Sequence, residues 1–305
     1  YKLANRLIDA VEAMAGRAPE KFMLVRSSDD AVRAMQSGRI GLAMGMENAS
    51  PLNHQLENIR FFADRGISYI TLTHGKSNHI CDSSYDENRR WNGLSPFGRE
   101  VITEMNRVGV MIDISHVTDE TFFQVMEISK APVIASHSSP RHFTQGWERN
   151  MSDEMIKALA QNGGVIQINV GSTFISQQAR DWSDTMAEKR KAYLEERNAP
   201  PHGMEARKFS KEYRAQNPFP YATLDDVLAN FEHVIKLVGI EHVGIGSDFD
   251  GVGDSLPEGL KDVSHYPALI AEFLERGYSE DDIRAVMGGN LMRVWRQVEA
   301  LASNP

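Results

Sequence analysis

Residues 110–139 read VMIDISHVTDETFFQVMEISKAPVIASHSS, and the fold follows from this stretch. Two short apolar runs, 110–114 and 132–135, each lead into a serine followed by a histidine, Ser115-His116 and Ser136-His137. Between them, residues 118–130 mix polar and apolar side chains over the length of one helix. Strand, helix, strand is a crossover unit, which joins parallel strands in one sheet. Parallel neighbours present their carboxyl ends at the same edge, so His116 and His137 are expected to converge there. Two imidazoles at adjacent strand ends suit a borderline cation such as zinc. Two satisfied core histidines are the alternative. The shared frame on successive strands favours the metal.

The pattern repeats on either side. Residues 40–47, IGLAMGME, read as a buried strand ending on Glu47, and 67–73 as a strand delivering His74. A polar, Gly-containing loop, 75–93, follows; it is longer than a connector needs, and such loops carry function. Ser95-Pro96 start a helix to about residue 108, with proline at a permitted early position. Farther upstream lie a helical stripe over 1–15, a short strand candidate at 22–25 and a helix from Ser28 to Gln36. Downstream, Ser152 caps a helix to Gln161, and 165–170 form a strand carrying Asn169. An amphipathic helix at 223–238 precedes a strand at 242–246, which opens into Ser247-Asp248-Phe249-Asp250-Gly251. Helices at 266–276, 279–287 and 290–301 close the chain. Residues 177–218, dense in Lys, Arg, Glu and Gln, read as an inserted helical excursion with a solvated face; a lid is the sharper alternative.

The strands so placed end on Glu47, His74, His116, His137, Asn169 and Asp248. Polar groups at nearly every carboxyl end mark the active-site face of an α/β, (β/α)8 TIM-like barrel. A doubly wound sheet would gather them at one switch point. A barrel needs eight strands, and this count reaches six plus the short 22–25 run. The expectation is therefore one domain over 1–305, N-terminally incomplete, with its first strands outside the given sequence.

Composition is that of a globular chain, with 41% hydrophobic and 25% charged residues. A net charge of −9 without a basic stripe argues against a nucleic-acid partner. The single cysteine, Cys81, excludes an internal disulfide and assigns no compartment. No run approaches the ~20 apolar residues of a membrane span, and no signal peptide is visible. Cytoplasmic and exported locations both stay open.

Glu47, His116 and His137 offer a carboxylate and two imidazoles, a set suited to a hydrolytic zinc with an open water position. Asp248 suits a general acid or base, although SDFDG is equally a string of turn formers. His74 is a core imidazole or a site residue, and Arg149 by itself reads as a surface arginine beside a turn. His79, Cys81 and Asp82 form a possible soft-metal group; a polar loop shaping the pocket is the better reading. His142, His202, His233 and His265 read as surface or helix residues.

Taken in order, several motifs carry a family likeness. They are GMENASPL around Glu47, YITLTH ending at His74, NGLSPFG, VMIDISH ending at His116 and APVIASHSS around His137. ERN around Arg149, GIGSDFDG around Asp248, PEGLKDVSHYP and GGNLMRVW follow. With these the chain resembles the membrane (renal) dipeptidase family of zinc peptidases, in the amidohydrolase superfamily, nearly throughout except 177–218. The resemblance implies a metal-dependent hydrolase barrel with two zinc ions per chain, and a homodimer. It implies that Glu47 bridges both metals and that His116 and His137 ligate the second. It gives His74 a role in contacting substrate and polarising the scissile carbonyl, Arg149 the substrate's terminal carboxylate, and Asp248 the proton transfers. The implied reaction is hydrolysis of dipeptides by a metal-held hydroxide, with tolerance of D-residues at the carboxyl-terminal position and of β-lactam-like amides. The family's His-x-Asp pair, which binds the first metal, has no counterpart in the given sequence. Two other readings follow: a dipeptidase-like fold that binds a ligand or partner without catalysis, or another amidohydrolase activity on a cyclic amide or ester.

Overall fold

A computed structural model describes residues 1–302. The β/α alternation is realised as one sheet of seven strands: β1 (Phe22–Val25), β2 (Ile40–Glu47), β3 (Ile67–Thr71), β4 (Met111–Asp113), β5 (Ile134–Ser138), β6 (Val165–Asn169) and β7 (Val243–Ser247). They lie side by side in chain order, and every neighbouring pair is parallel. This sequential parallel order is that of a TIM-like barrel wall. The run at 22–25 is a full member of the sheet, so the strand count among the described residues is seven.

The central strands are apolar on both faces because helices cover one side and the opposite strands the other. All residues of β4 and β6 are buried. Two glycines mark where side chains have no room inside the curl. A Cβ on Gly45 would run into the Tyr69 ring, and one on Gly246 would lie 2.5 Å from the Ser136 carbonyl oxygen.

Helices start where side-chain oxygens accept from the first free N–H groups. Ser95, Thr118 and Ser152 cap Pro96–Val108, Asp119–Ile128 and Asp153–Gln161. Thr223 and Asp226 form a capping box ahead of Leu224–Val238. Ser27, rather than Ser28, caps Ser28–Gln36. Ile59, Phe62, Ile102, Met105, Phe122, Phe231 and Phe273 are fully buried between helices and sheet. Each such side chain contributes about 1.5–3 kcal/mol relative to exposure. The expected helix over 279–287 ends at Arg284 and continues as a π-turn, Ala285–Gly289, in which Gly288 takes φ 146°. Asn290 then ties the last helix to the sheet, donating to the Ile240 and Val243 carbonyls at 2.7 and 2.8 Å.

The charged excursion forms two helices, Gln177–Glu196 and Met204–Gln216, joined through ring contacts of Tyr193 with Phe209 and Trp182 with Tyr213. Most of its surface faces outward, but at its foot the Arg180 guanidinium lies 4.3 Å from the Trp147 ring. No helix among the described residues is long and apolar enough to cross a membrane.

Candidate functional site

Three strands and their exits deliver one cluster. Glu47 closes β2, His116 follows β4, and His137 stands near the end of β5. The sequence reading ends that strand before His137; instead the strand runs on to Ser138, and its pairing with β6 slips between Ala135 and Ser138. A slip of this kind re-aims side chains next to a site. His116 sits in the left-handed region at φ 70°. Glu47 Oε1 lies 3.1 Å from His116 Nε2 and 3.2 Å from His137 Nε2, and the two Nε2 atoms are 2.8 Å apart. His74, three residues past β3, places Nε2 3.8 Å from the same oxygen. Glu47, His74 and His116 also converge closely enough to hold a metal ion. His74 is half exposed, at the mouth of the cluster, whereas His116 is buried.

Arg149 joins the cluster from behind. It is only 3% exposed, so it is a wall of the site and not a surface arginine. Its Nη1 donates to Ser138 Oγ at 2.7 Å and its Nη2 to the His137 carbonyl at 2.7 Å. The same Nη2 lies 3.2 Å from His116 Nε2. A guanidinium has donors only, so His116 Nε2 faces it with a lone pair. Burial first, and then the Arg149 charge, push His116 down to about 3. Contacts with His116 and then His137 hold the Glu47 carboxyl well below the usual carboxylate range. The result is an anion and unprotonated imidazole nitrogen converging on one point. This donor set fits a divalent cation such as zinc, which Glu47, His116 and His137 could hold.

Asp248 enters from the end of β7. Ser247 and Asp248 both have positive φ, 30° and 60°, which turns the carboxylate back toward the cluster. Asn169 Nδ2 donates to Asp248 Oδ2 at 2.8 Å, while its own Oδ1 accepts from Gly171 N at 2.8 Å. Gly171 therefore fixes which end of the amide faces Asp248. Burial raises the Asp248 pKa, opposed by His137, the Asn169 bond and Arg149. Gly251 lies against Oδ1, where any Cβ would collide with it.

The 75–93 loop is stitched to the site. Asp82 accepts from the backbone of Arg90, Trp91 and Gly93, and Ser84 N donates to the His116 carbonyl at 2.8 Å. Tyr85 places its ring 5.7 Å from His116 and 6.2 Å from Trp147. His79, Cys81 and Asp82 do not form a metal site: Cys81 is fully buried, His79 packs between His54 and Phe97, and Asp82 is occupied by the loop backbone. His142 stacks on His233, which pairs with Asp153 at 2.7 Å.

The sequence reading passes over Asp113, Ser136 and Tyr85. Asp113 had a visible signal, a charge inside an apolar strand, which is rarely buried without partners.

A family model described as "Membrane dipeptidase (Peptidase family M19)" matches residues 2–305. An uncharacterized dipeptidase of Schizosaccharomyces pombe is 35% identical over 299 residues, covering 97% of this chain and 62% of that protein. Dipeptidase tcpJ of Claviceps purpurea is 32% identical over 297 residues, covering 97% of this chain and 60% of that protein. The chain thus spans about three fifths of the length of these relatives. Among solved structures, the probable dipeptidase PvdM from Pseudomonas aeruginosa superposes with a TM-score of 0.82 at 28% identity, covering 97% of this chain and 78% of that one.

Proposed function

The chain belongs to the membrane dipeptidase family, and from that premise we propose that the protein is a metallopeptidase that hydrolyses dipeptides with zinc held by Glu47, His116 and His137. The observation that carries the proposal is the convergence of these three side chains, with donor atoms 2.8 to 3.2 Å apart. Two zinc ions per chain, for which Glu47 would be the common ligand, are proposed on the family resemblance, as is a homodimer, which sedimentation can test. Tolerance of a D-residue at the carboxyl-terminal position belongs to the same proposal.

Zinc, when bound, supplies Lewis acidity and an acidified water. The chain's own groups handle protons and orientation. Asp248 Oδ1, the oxygen not engaged by Asn169, takes the proton of the attacking water and returns it to the leaving amine nitrogen. A carboxyl raised by burial is suited to both halves of that exchange. His74, exposed at the mouth, orients the scissile carbonyl. Arg149 receives the substrate's free carboxylate, for which a planar fork is matched.

The test is metal content of the purified protein, with hydrolysis of an L,L-dipeptide and its L,D counterpart assayed on the same sample. About two zinc ions with turnover support the proposal. Zinc-loaded protein inert toward every dipeptide tried overturns the reaction. Failure to retain zinc overturns the metal site.

A further inference from the structure

Beneath the histidine pair lies a carboxylate that is closed off from solvent and, among the described residues, pairs with no cation. Asp113, at the end of β4, is fully buried. It accepts four hydrogen bonds. Thr71 Oγ1 and Ser136 Oγ each donate to Oδ2 at 2.6 Å, and Ser115 N and Ser136 N donate to Oδ1 at 3.0 and 2.8 Å. Ser136 Oγ is at the same time 2.7 Å from His137 Nδ1.

A hydroxyl has one proton. The Ser136 proton lies toward Asp113, where three other donors hold the carboxylate in place. Ser136 Oγ then has only lone pairs for His137, and the proton between them belongs to Nδ1. A neutral His137 with its proton on Nδ1 has a bare Nε2, and Nε2 is the atom facing Glu47 and His116. The backbone N–H of His137 also donates to Ser115 Oγ at 3.1 Å, which pins the ring's base.

We propose that Asp113 is a positioning residue that acts through the Ser136 hydroxyl to fix His137 as the Nδ1–H tautomer, and so presets Nε2 as a metal ligand. The proposal rests on the metal site of the preceding reading for its purpose, but the tautomer is read in the metal-free chain, where Ser136 and Asp113 must hold it against Glu47 Oε1 and His116 Nε2, 3.2 and 2.8 Å from His137 Nε2. Relays of a carboxylate to a metal-bound histidine commonly change metal affinity by ~10–100-fold when broken. Here a serine stands between the two.

The experiment uses 15N-labelled imidazoles in the metal-free protein, above the imidazole titration range, together with zinc affinity from chelator competition. The wild type is expected to show His137 protonated on Nδ1. Ser136→Ala and Asp113→Asn are each expected to shift His137 toward a tautomer mixture and to weaken zinc binding by ~10–100-fold. The double variant should be no worse than Ser136→Ala alone, because both break one chain. If Asp113→Asn does not fold, Ser136→Ala carries the test, and Ser136→Thr, which keeps the hydroxyl, should restore both readouts. A wild-type His137 protonated on Nε2, or an unchanged tautomer in Ser136→Ala, overturns the relay. Absence of zinc binding in the wild type with the Nδ1–H tautomer present would instead overturn the metal reading and leave the relay standing.

Discussion

Replacing Arg149 by methionine separates recognition from scaffolding at this site. Five N–H donors belong to a guanidinium, and three protein acceptors, Ser138 Oγ, the His137 carbonyl and His116 Nε2, face Arg149. Its Nε is buried without a partner. A substrate carboxylate reaching the remaining Nη1 N–H gains a charge-assisted hydrogen bond of about 1.5–3 kcal/mol, together with the attraction of the buried charge. Allowing for desolvation, about 3 kcal/mol remains, or ~100-fold in kcat/KM. Stability should move less. The change strands these three acceptors, at about 1–3 kcal/mol each. It also removes a buried cation with no carboxylate within salt-bridge distance among the described residues, a comparable relief. The assay compares a dipeptide with its carboxyl-terminal amide. The wild type should prefer the free acid by ~100-fold and Arg149→Met should prefer neither. Arg149→Lys, which keeps the charge but loses the fork, should fall between. An equal loss on acid and amide would refute the recognition role and leave Arg149 as a support for His116.

Other expectations concern single groups. His137→Ala should lose zinc and activity together; turnover retained in the metal-free variant contradicts its role as ligand. Gly251→Ala should push the Asp248 carboxylate off Asn169, lowering kcat by ~100-fold while Tm stays nearly unchanged, because the colliding atom is the tip of a side chain. Asp248→Asn keeps an acceptor for Asn169 but removes a charge that burial disfavours. The raised folded pKa means Asp248 stabilises the fold only at low pH and costs stability once ionised. At neutral pH the variant should therefore melt no lower than the wild type, while kcat falls by ~10²–10⁴-fold; a drop in Tm would argue for a structural carboxylate. His116 titrates near 3 in the fold against about 6.5 unfolded, so the unfolded chain binds the extra proton. Stability of the metal-free protein should fall as pH drops below about 6.5, by at most ~1.4 kcal/mol per unit from this group, and urea midpoints of His116→Gln should lack that part of the slope.

Residues at strand ends were legible because the β/α alternation has a fixed polarity. Once residues 110–139 read as strand, helix, strand, the neighbouring runs ending on Glu47 and His74 fall at the same edge. Helix starts were legible within a residue or two, since Ser95, Thr118, Ser152 and Thr223 announce themselves as caps. What stayed hidden depends on contacts between distant residues. Arg149 reads as a turn arginine until Ser138 and the His137 carbonyl, on another strand, are seen to receive it. The slip in β5 cannot be read from APVIASHSS, because it is a property of pairing with β6. Asp113 was visible only as an anomaly, and its four donors come from three separate segments.

These hidden contacts explain how the cluster avoids competing with itself for protons. An imidazole pair beside a carboxylate, left in water, would hold a proton at neutral pH, and a cation would have to displace it. Burial and the Arg149 guanidinium disfavour that proton on His116. The site thus places a fixed positive charge behind its ligands. That charge raises the cost of folding and lowers the cost of deprotonation. On the proposed reading Arg149 links two tasks: the same buried cation that disfavours a proton on His116 would also attract an anionic substrate. A change at Arg149 should alter the pH dependence of zinc binding as well as the preference for a free carboxylate. Separating the two effects requires zinc affinity measured with pH varied and substrate absent. An affinity in Arg149→Met that equals or exceeds the wild type at alkaline pH, where the lost cation no longer repels the metal, and weakens more steeply than the wild type as pH falls, is the outcome this electrostatic account requires.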